Sequence, residues 1–107
     1  MMDDFLFVKQ SNGLFTRVDS QGIVLVEACG GCSKIVTTGS HYLVNSTLGE
    51  LEGILPEAHF CRVNRSCLVG MGHISGFTVE SIFILDKEVA LTKAYAEKFF
   101  ERVKVVF

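Results

Sequence analysis

Short apolar runs, broken at close intervals by Gly, Asn, Asp and Ser, dominate the first half of the chain. Phe5-Leu-Phe-Val8 has the composition of a buried strand, and Ser11-Asn-Gly13 supplies a turn in which φ can go positive. Residues 14–18 return as its hairpin partner, with Arg17 directed to water. Gly22 precedes Ile23-Val-Leu-Val-Glu-Ala28, the most apolar strand pattern in the chain. Apolar continuity over that length predicts a central strand covered on both faces. Cys29-Gly-Gly-Cys-Ser-Lys34 reads as a flexible loop, 35–38 as a strand, Gly39-Ser40 as a turn and 41–44 as the returning strand. Hairpins with turn signals at this spacing predict an antiparallel β-protein.

The period changes at Thr47. Thr47-x-x-Glu50 has the form of a capping box: the hydroxyl accepts from a free backbone N–H and the carboxylate reaches back to the cap. Leu48, Leu51 and Leu55 share one side of a short helix, with Ile54 adjacent and Pro56 ending it. Next comes Phe60-Cys-Arg-Val-Asn-Arg-Ser-Cys-Leu-Val-Gly-Met-Gly-His-Ile74, which opens with strand alternation. At Arg65-Ser66 the alternation stops, and Cys67-Leu-Val69 with Gly70 and Gly72 reads as a tight apolar turn anchoring the strand end. Residues 76–79, 82–85 and 88–92 read as further strands, with Asp86-Lys87 as a turn. Residues 94–106 predict a C-terminal helix, since Tyr95, Phe99 and Val103 fall at i, i+4 and i+8. Phe99, Phe100 and Phe107 are candidate core residues, or a dimer face if a pair of them is exposed. No linker, low-complexity tract or internal repeat divides the chain, so residues 1–107 are expected to form one small domain.

The chemistry concentrates in residues 62–66, where Arg62, Asn64, Arg65 and Ser66 form a compact donor cluster at a strand end. Such groups can grip phosphates and read base edges. The run Phe60-x-Arg62-Val-Asn64-Arg65-Ser66-x-Leu68-Val69, with Ile74 beyond it, closely resembles the core signature of the LytTR DNA-binding domain family. The surrounding strands and the Leu-rich helix fall in that family's order over nearly the whole chain. The resemblance implies an elongated, mostly β, antiparallel fold of about ten short strands, one or two short helices and a C-terminal helix. It also implies sequence-specific binding of double-stranded DNA at promoter repeats to regulate transcription, with two copies on a repeated site. An upstream receiver or sensor region commonly precedes this module in the family.

By position, the resemblance puts Ser33 and Lys34, Arg65 of the central motif, and Lys93 before the last helix into three segments that converge on the DNA grooves without a recognition helix. A guanidinium can bind guanine O6 and N7 bidentately, so Arg65 is the expected base reader, while Lys34 and Arg62 are expected to position the phosphate backbone. Lys93 could do either. The expected DNA-binding set is thus Ser33, Lys34, Arg62, Asn64, Arg65, Ser66 and Lys93. Asn64 stands where the family usually has His, Lys93 where it has Arg, Gly70 where it has Asn, Cys67 where it has Tyr, and Cys32 where an aromatic is common. Asn64 can still pair bidentately with adenine, so these departures bear on which bases are read.

Bulk properties bound the alternatives. With 49% hydrophobic and 21% charged residues, the 107-residue chain is globular. No apolar run approaches the ~20 residues of a membrane helix, and no basic-then-apolar leader opens the sequence, so a cytoplasmic location is expected. The net charge of −2 counts against nucleic acid unless the basic residues gather on one face. Residue types alone leave a plainer alternative, in which these donors are solvated side chains and Arg62 sits in a surface ion pair. Cys29, Cys32, Cys61 and Cys67 lack zinc-ribbon spacing, and the CxxC does not open a helix as redox motifs do. His41, His59 and His73 are scattered, and no nucleophile–base set or phosphate loop occurs. An enzyme and a bound cofactor are therefore not expected. The rival readings are a protein-interaction module using a sheet edge or the last helix, and a thiol-based metal or redox sensor.

Overall fold

The computed structural model describes residues 5–107. Two strands, β1 (Phe5–Lys9) and β2 (Phe15–Asp19), form a hairpin, followed by a 3-10 turn at Ser20–Gly22. Then come β3 (Ile23–Cys29), β4 (Cys32–Thr37), β5 (His41–Val44), helix α1 (Leu48–Ile54), β6 (Phe60–Asn64) and β7 (Cys67–Gly70). A second 3-10 turn at Met71–His73 leads into β8 (Ile74–Phe77), β9 (Ser81–Ile84), β10 (Lys87–Ala90) and helix α2 (Lys93–Glu101). All strand pairing is antiparallel. The described residues thus give ten strands and two helices in a body of 49 × 31 × 25 Å, the elongated, mostly β fold expected.

A five-stranded sheet in the order β5-β4-β3-β7-β6 is the middle layer. As its pattern predicts, β3 is central, and Ile23, Val24, Leu25 and Val26 are fully buried. One face of the sheet packs Leu25, Val36, Cys61, Val63, Cys67 and Val69 against Ile82, Ile84 and Val89 of the β10-β9-β8 sheet, Leu91 of the following link and Phe99 of α2. The other face packs Val26, Ile35, Phe60 and Leu68 against Leu48 and Leu51 of α1, Leu55 capping its C-terminal end, and Val8 and Val18 of the β1-β2 hairpin. The capping box forms: Glu50 N donates to Thr47 Oγ1 at 3.2 Å, and Thr47 N donates to Glu50 Oε1 at 2.8 Å.

Several local expectations are corrected. The strand over 5–8 is not buried: of its side chains only Val8 is, while Phe5 and Phe7 are exposed, because this hairpin packs through one face alone. The stretch 29–34 is not a loop. Gly30 and Gly31 both take positive φ (63° and 93°), which permits a two-residue turn matching strand twist, so β3 and β4 run to its very edges. Residues 67–69 are not a tight turn but part of β7, buried throughout between β3 and β6. The turn is Arg65-Ser66 itself. The strand read at 76–79 is shifted to Ile74–Phe77, because Thr78 Oγ1 accepts from Glu80 N and Ser81 N and turns the chain there. The following turn comes at 85–86, with Leu85 at φ 53°, and the last strand runs Lys87–Ala90. Helix α2 stops at Glu101, where the β-branched Val103, Val105 and Val106 favour extended backbone. Phe99 is core, as expected, and packs edge-on to Phe77 at 5.1 Å, but Phe107 is exposed.

Candidate nucleic-acid interface

Three segments meet at one end of the central sheet. The β3–β4 hairpin tip carries Gly30 and Gly31, and just behind it Ala28 N donates to Ser66 O at 2.9 Å. The Arg65-Ser66 turn therefore lies alongside that hairpin. On its other side, Thr92 N donates to Val63 O at 3.1 Å and Asn64 Nδ2 donates to Ala90 O at 2.7 Å, which brings in the start of α2. The sheet order explains the meeting, since β3 and β6 both flank β7, whose first residue follows the turn.

The expected residues divide by environment. Arg65 and Ser66 are exposed at the turn, and Lys93 is exposed at the first position of α2. Among the described residues no hydrogen bond or ion pair engages the Arg65 side chain, so its guanidinium stands available. Lys34 is half-buried on β4, a cross-strand neighbour of Glu27. Glu27 in turn pairs with Lys87 at 3.8 Å.

Arg62 is placed differently from the phosphate contact expected of it. Its Nε donates to Asn64 O at 3.0 Å, its Nη2 to Arg65 O at 2.7 Å and its Nη1 to Glu52 Oε1 at 2.8 Å. The guanidinium also lies 5.8 Å from the Tyr95 ring centroid. One planar fork thus ties the turn to α1 and α2. The ion pair of the plainer alternative is present, with Glu52 of α1 as the partner. Asn64 is also occupied within the fold: its Oδ1 accepts from Ser66 N at 2.8 Å while Nδ2 holds the Ala90 carbonyl. Both ends of the amide serve the turn, which ties this side chain to the fold. Ser33 is fully buried and donates to Ser46 O at 2.8 Å, because its side chain faces inward between the sheet and the segment after β5. It does not reach the surface. Arg102 is a brace that sequence reasoning missed: it donates to the carbonyls of Glu57 (2.8 Å), Ala58 (2.9 Å) and Phe60. Only the tertiary fold brings those carbonyls to it.

The result is a mostly β module with Arg65 exposed on a braced turn at one sheet end and Lys93 exposed at the start of α2 nearby. Residues 14–104 match the LytTr DNA-binding domain model, and the chain belongs to that family. The family is defined by DNA binding and not by catalysis. Among solved structures, the LytTr DNA-binding domain of a protein described as a methyl-accepting/DNA response regulator from Bacillus cereus superposes with a TM-score of 0.77. It is 22% identical, and the match covers 92% of this chain and 95% of that one. The CO-responsive transcriptional regulator RcoM of Rhodospirillum rubrum is 37% identical over 60 residues, 56% of this chain and 25% of RcoM. The transcriptional regulatory protein NatR of Bacillus subtilis is 27% identical over 101 residues, covering 88% of this chain and 43% of NatR. The chain thus spans less than half the length of RcoM and of NatR. Among the described residues no helix is long and apolar enough to cross a membrane, and no group of three or more metal-binding side chains gathers.

Proposed function

We propose that residues 1–107 act as one LytTr domain, the DNA-reading part of a transcriptional regulator. It recognises duplex DNA with the β3–β4 tip, the Arg65-Ser66 turn and the β10–α2 junction. The observation that carries this reading is the exposed, unengaged Arg65 on a turn whose neighbours Arg62 and Asn64 are both spent on holding it. Bracing of this kind lowers the ordering cost of docking a single side chain into a groove. Arg65 is the base reader, its fork suited to guanine O6 and N7, while Ser66, Lys34 and Lys93 contact phosphates. Two copies bind promoter repeats, and a receiver or sensor region elsewhere in the protein controls them, in a cytoplasmic setting.

The test is fluorescence anisotropy on duplexes enriched from a randomised pool. Arg65→Ala is expected to lose about 1–3 kcal/mol at one base pair. Wild-type affinity should fall with salt at a slope of about −0.9 per neutralised phosphate. No enriched motif, or equal weak binding by both proteins, refutes base reading by Arg65.

One observation favours a second reading. Beside the outer strand β5, a groove of about 670 Å³ is flanked by the exposed apolar side chains of Phe7, Phe15, Leu43 and Ile54. A protein partner seated there would bind with little salt dependence, which separates this reading from DNA.

A further inference from the structure

Among the four cysteines, two are interior and two stand together at the surface. Cys61 and Cys67 are buried, and burial pushes both thiols above their ordinary pKa, Cys67 to about 12. They are inert. Cys29 and Cys32 differ: they are directly opposed in the β3–β4 register, on either side of the Gly30-Gly31 turn. Cys29 is exposed and Cys32 half-buried, and Cys32 Sγ approaches Cys29 O at 3.1 Å. The Cys32 thiol therefore points back across the hairpin toward its neighbour. Residues facing each other beside a two-residue turn hold their Cα atoms about 5.5 Å apart, within the span a disulfide bridges. The CxxC that fails as a helix-opening redox motif thus forms a vicinal dithiol by a different route, the hairpin turn.

We propose that Cys29 and Cys32 form a reversible dithiol–disulfide site that takes low-molecular-weight disulfides as its oxidant. The exposed Cys29 thiolate attacks one sulfur of the small disulfide. That S–S bond breaks, a mixed disulfide forms on Cys29, and one small thiolate leaves. Cys32, deprotonated by solvent, then attacks the Cys29 sulfur and displaces the second small thiolate. Two protein thiols are oxidised, one small disulfide is reduced to two thiols, and the protons pass to solvent or to the released thiolates. A disulfide prefers Cβ atoms about 3.8 Å apart, closer than a directly opposed, hydrogen-bonded pair holds them. The bridge is therefore strained and readily reduced, as befits a reversible site rather than a structural staple. It lies at the tip of the hairpin whose Ala28 N–H holds Ser66 O. If the DNA reading above is correct, its state bears on that interface.

The experiment incubates the reduced chain with mixtures of oxidised and reduced glutathione, quenches with acid, alkylates, and digests with trypsin. Cleavage at Arg17 and Lys34 places Cys29 and Cys32 together in one peptide, apart from Cys61 and Cys67. The expected product is that peptide lighter by two hydrogens, restored by dithiothreitol, with Cys61 and Cys67 modified only after denaturation. Cys32→Ser should stop at a glutathione adduct on Cys29. Three results overturn the proposal: a lasting glutathione adduct on the wild-type chain, a bridge involving Cys61 or Cys67, or no oxidised species in the most oxidising mixture. These readouts need no DNA, so they stand or fall apart from the proposed function.

Discussion

Arg62 offers the sharpest separation between a phosphate contact and a brace for the turn proposed to meet DNA. The side chain is 21% exposed and its partner Glu52 45% exposed, so their ion pair contributes at most about 1 kcal/mol. The donations to Asn64 O and Arg65 O weigh more, since hydrogen bonds from a charged donor contribute about 1.5–3 kcal/mol each when shielded. Both carbonyls flank an exposed turn, where water recovers part of that loss. Arg62→Ala is therefore expected to destabilise the fold by about 2–3 kcal/mol, a fall in Tm of about 10 °C for a domain of this size. Arg62→Lys keeps the charge but cannot span two carbonyls and a carboxylate at once, so it should lose at least half as much stability. The assays are thermal unfolding by circular dichroism and anisotropy across a salt series. A brace predicts that Arg62→Lys weakens DNA binding about tenfold although its charge is intact. If Arg62→Ala melts with the wild type and merely lowers the salt slope by about 0.9, Arg62 is a phosphate contact and the bracing argument is wrong.

The remaining expectations concern the interior. A Cβ on Gly70 would stand 2.5 Å from Ile23 O and 3.1 Å from Val24 O, both main-chain atoms of the central strand. Gly70→Ala should therefore cost about 1–3 kcal/mol in chemical denaturation, and an unchanged midpoint would show that β7 and β3 can part freely. Burial, with Glu27 adding to it, raises the Cys67 thiol to about 12, whereas the unfolded chain releases that proton from about 8.5 upward. The folded state then holds the extra proton, so stability is complete below about pH 8.5 and falls above it, by up to about 1.4 kcal/mol per pH unit. Denaturation midpoints over pH 8–10 should decline less steeply in Cys67→Ala, and parallel curves for the two proteins would refute this.

Much of the fold can be read from local pattern because its causes are local. The apolar continuity of 23–28, the Thr47–Glu50 capping box and the spacing of Leu48, Leu51 and Leu55 each act within one element, and each appears where expected. The family signature in residues 60–74 is also linear, so membership was legible before any fold was known. Misreadings arose where one residue type serves two backbone states. Gly30-Gly31 is as compatible with a loose loop as with a two-residue turn, and the register of β3 against β4 decides between them.

The roles within the donor cluster were not legible, and the reason is physical. A hydrogen bond depends on which acceptor lies within about 3 Å, and that follows from how distant segments are stacked. Arg62 faces Glu52 across ten residues, Asn64 reaches Ala90 across twenty-six, and Arg102 meets Phe60 across forty-two. Sequence alone determined that donors gather in residues 62–66 and that they lie on an antiparallel β scaffold. The tertiary structure decided which of them help build the turn, leaving the exposed Arg65 with its guanidinium unengaged among the described residues.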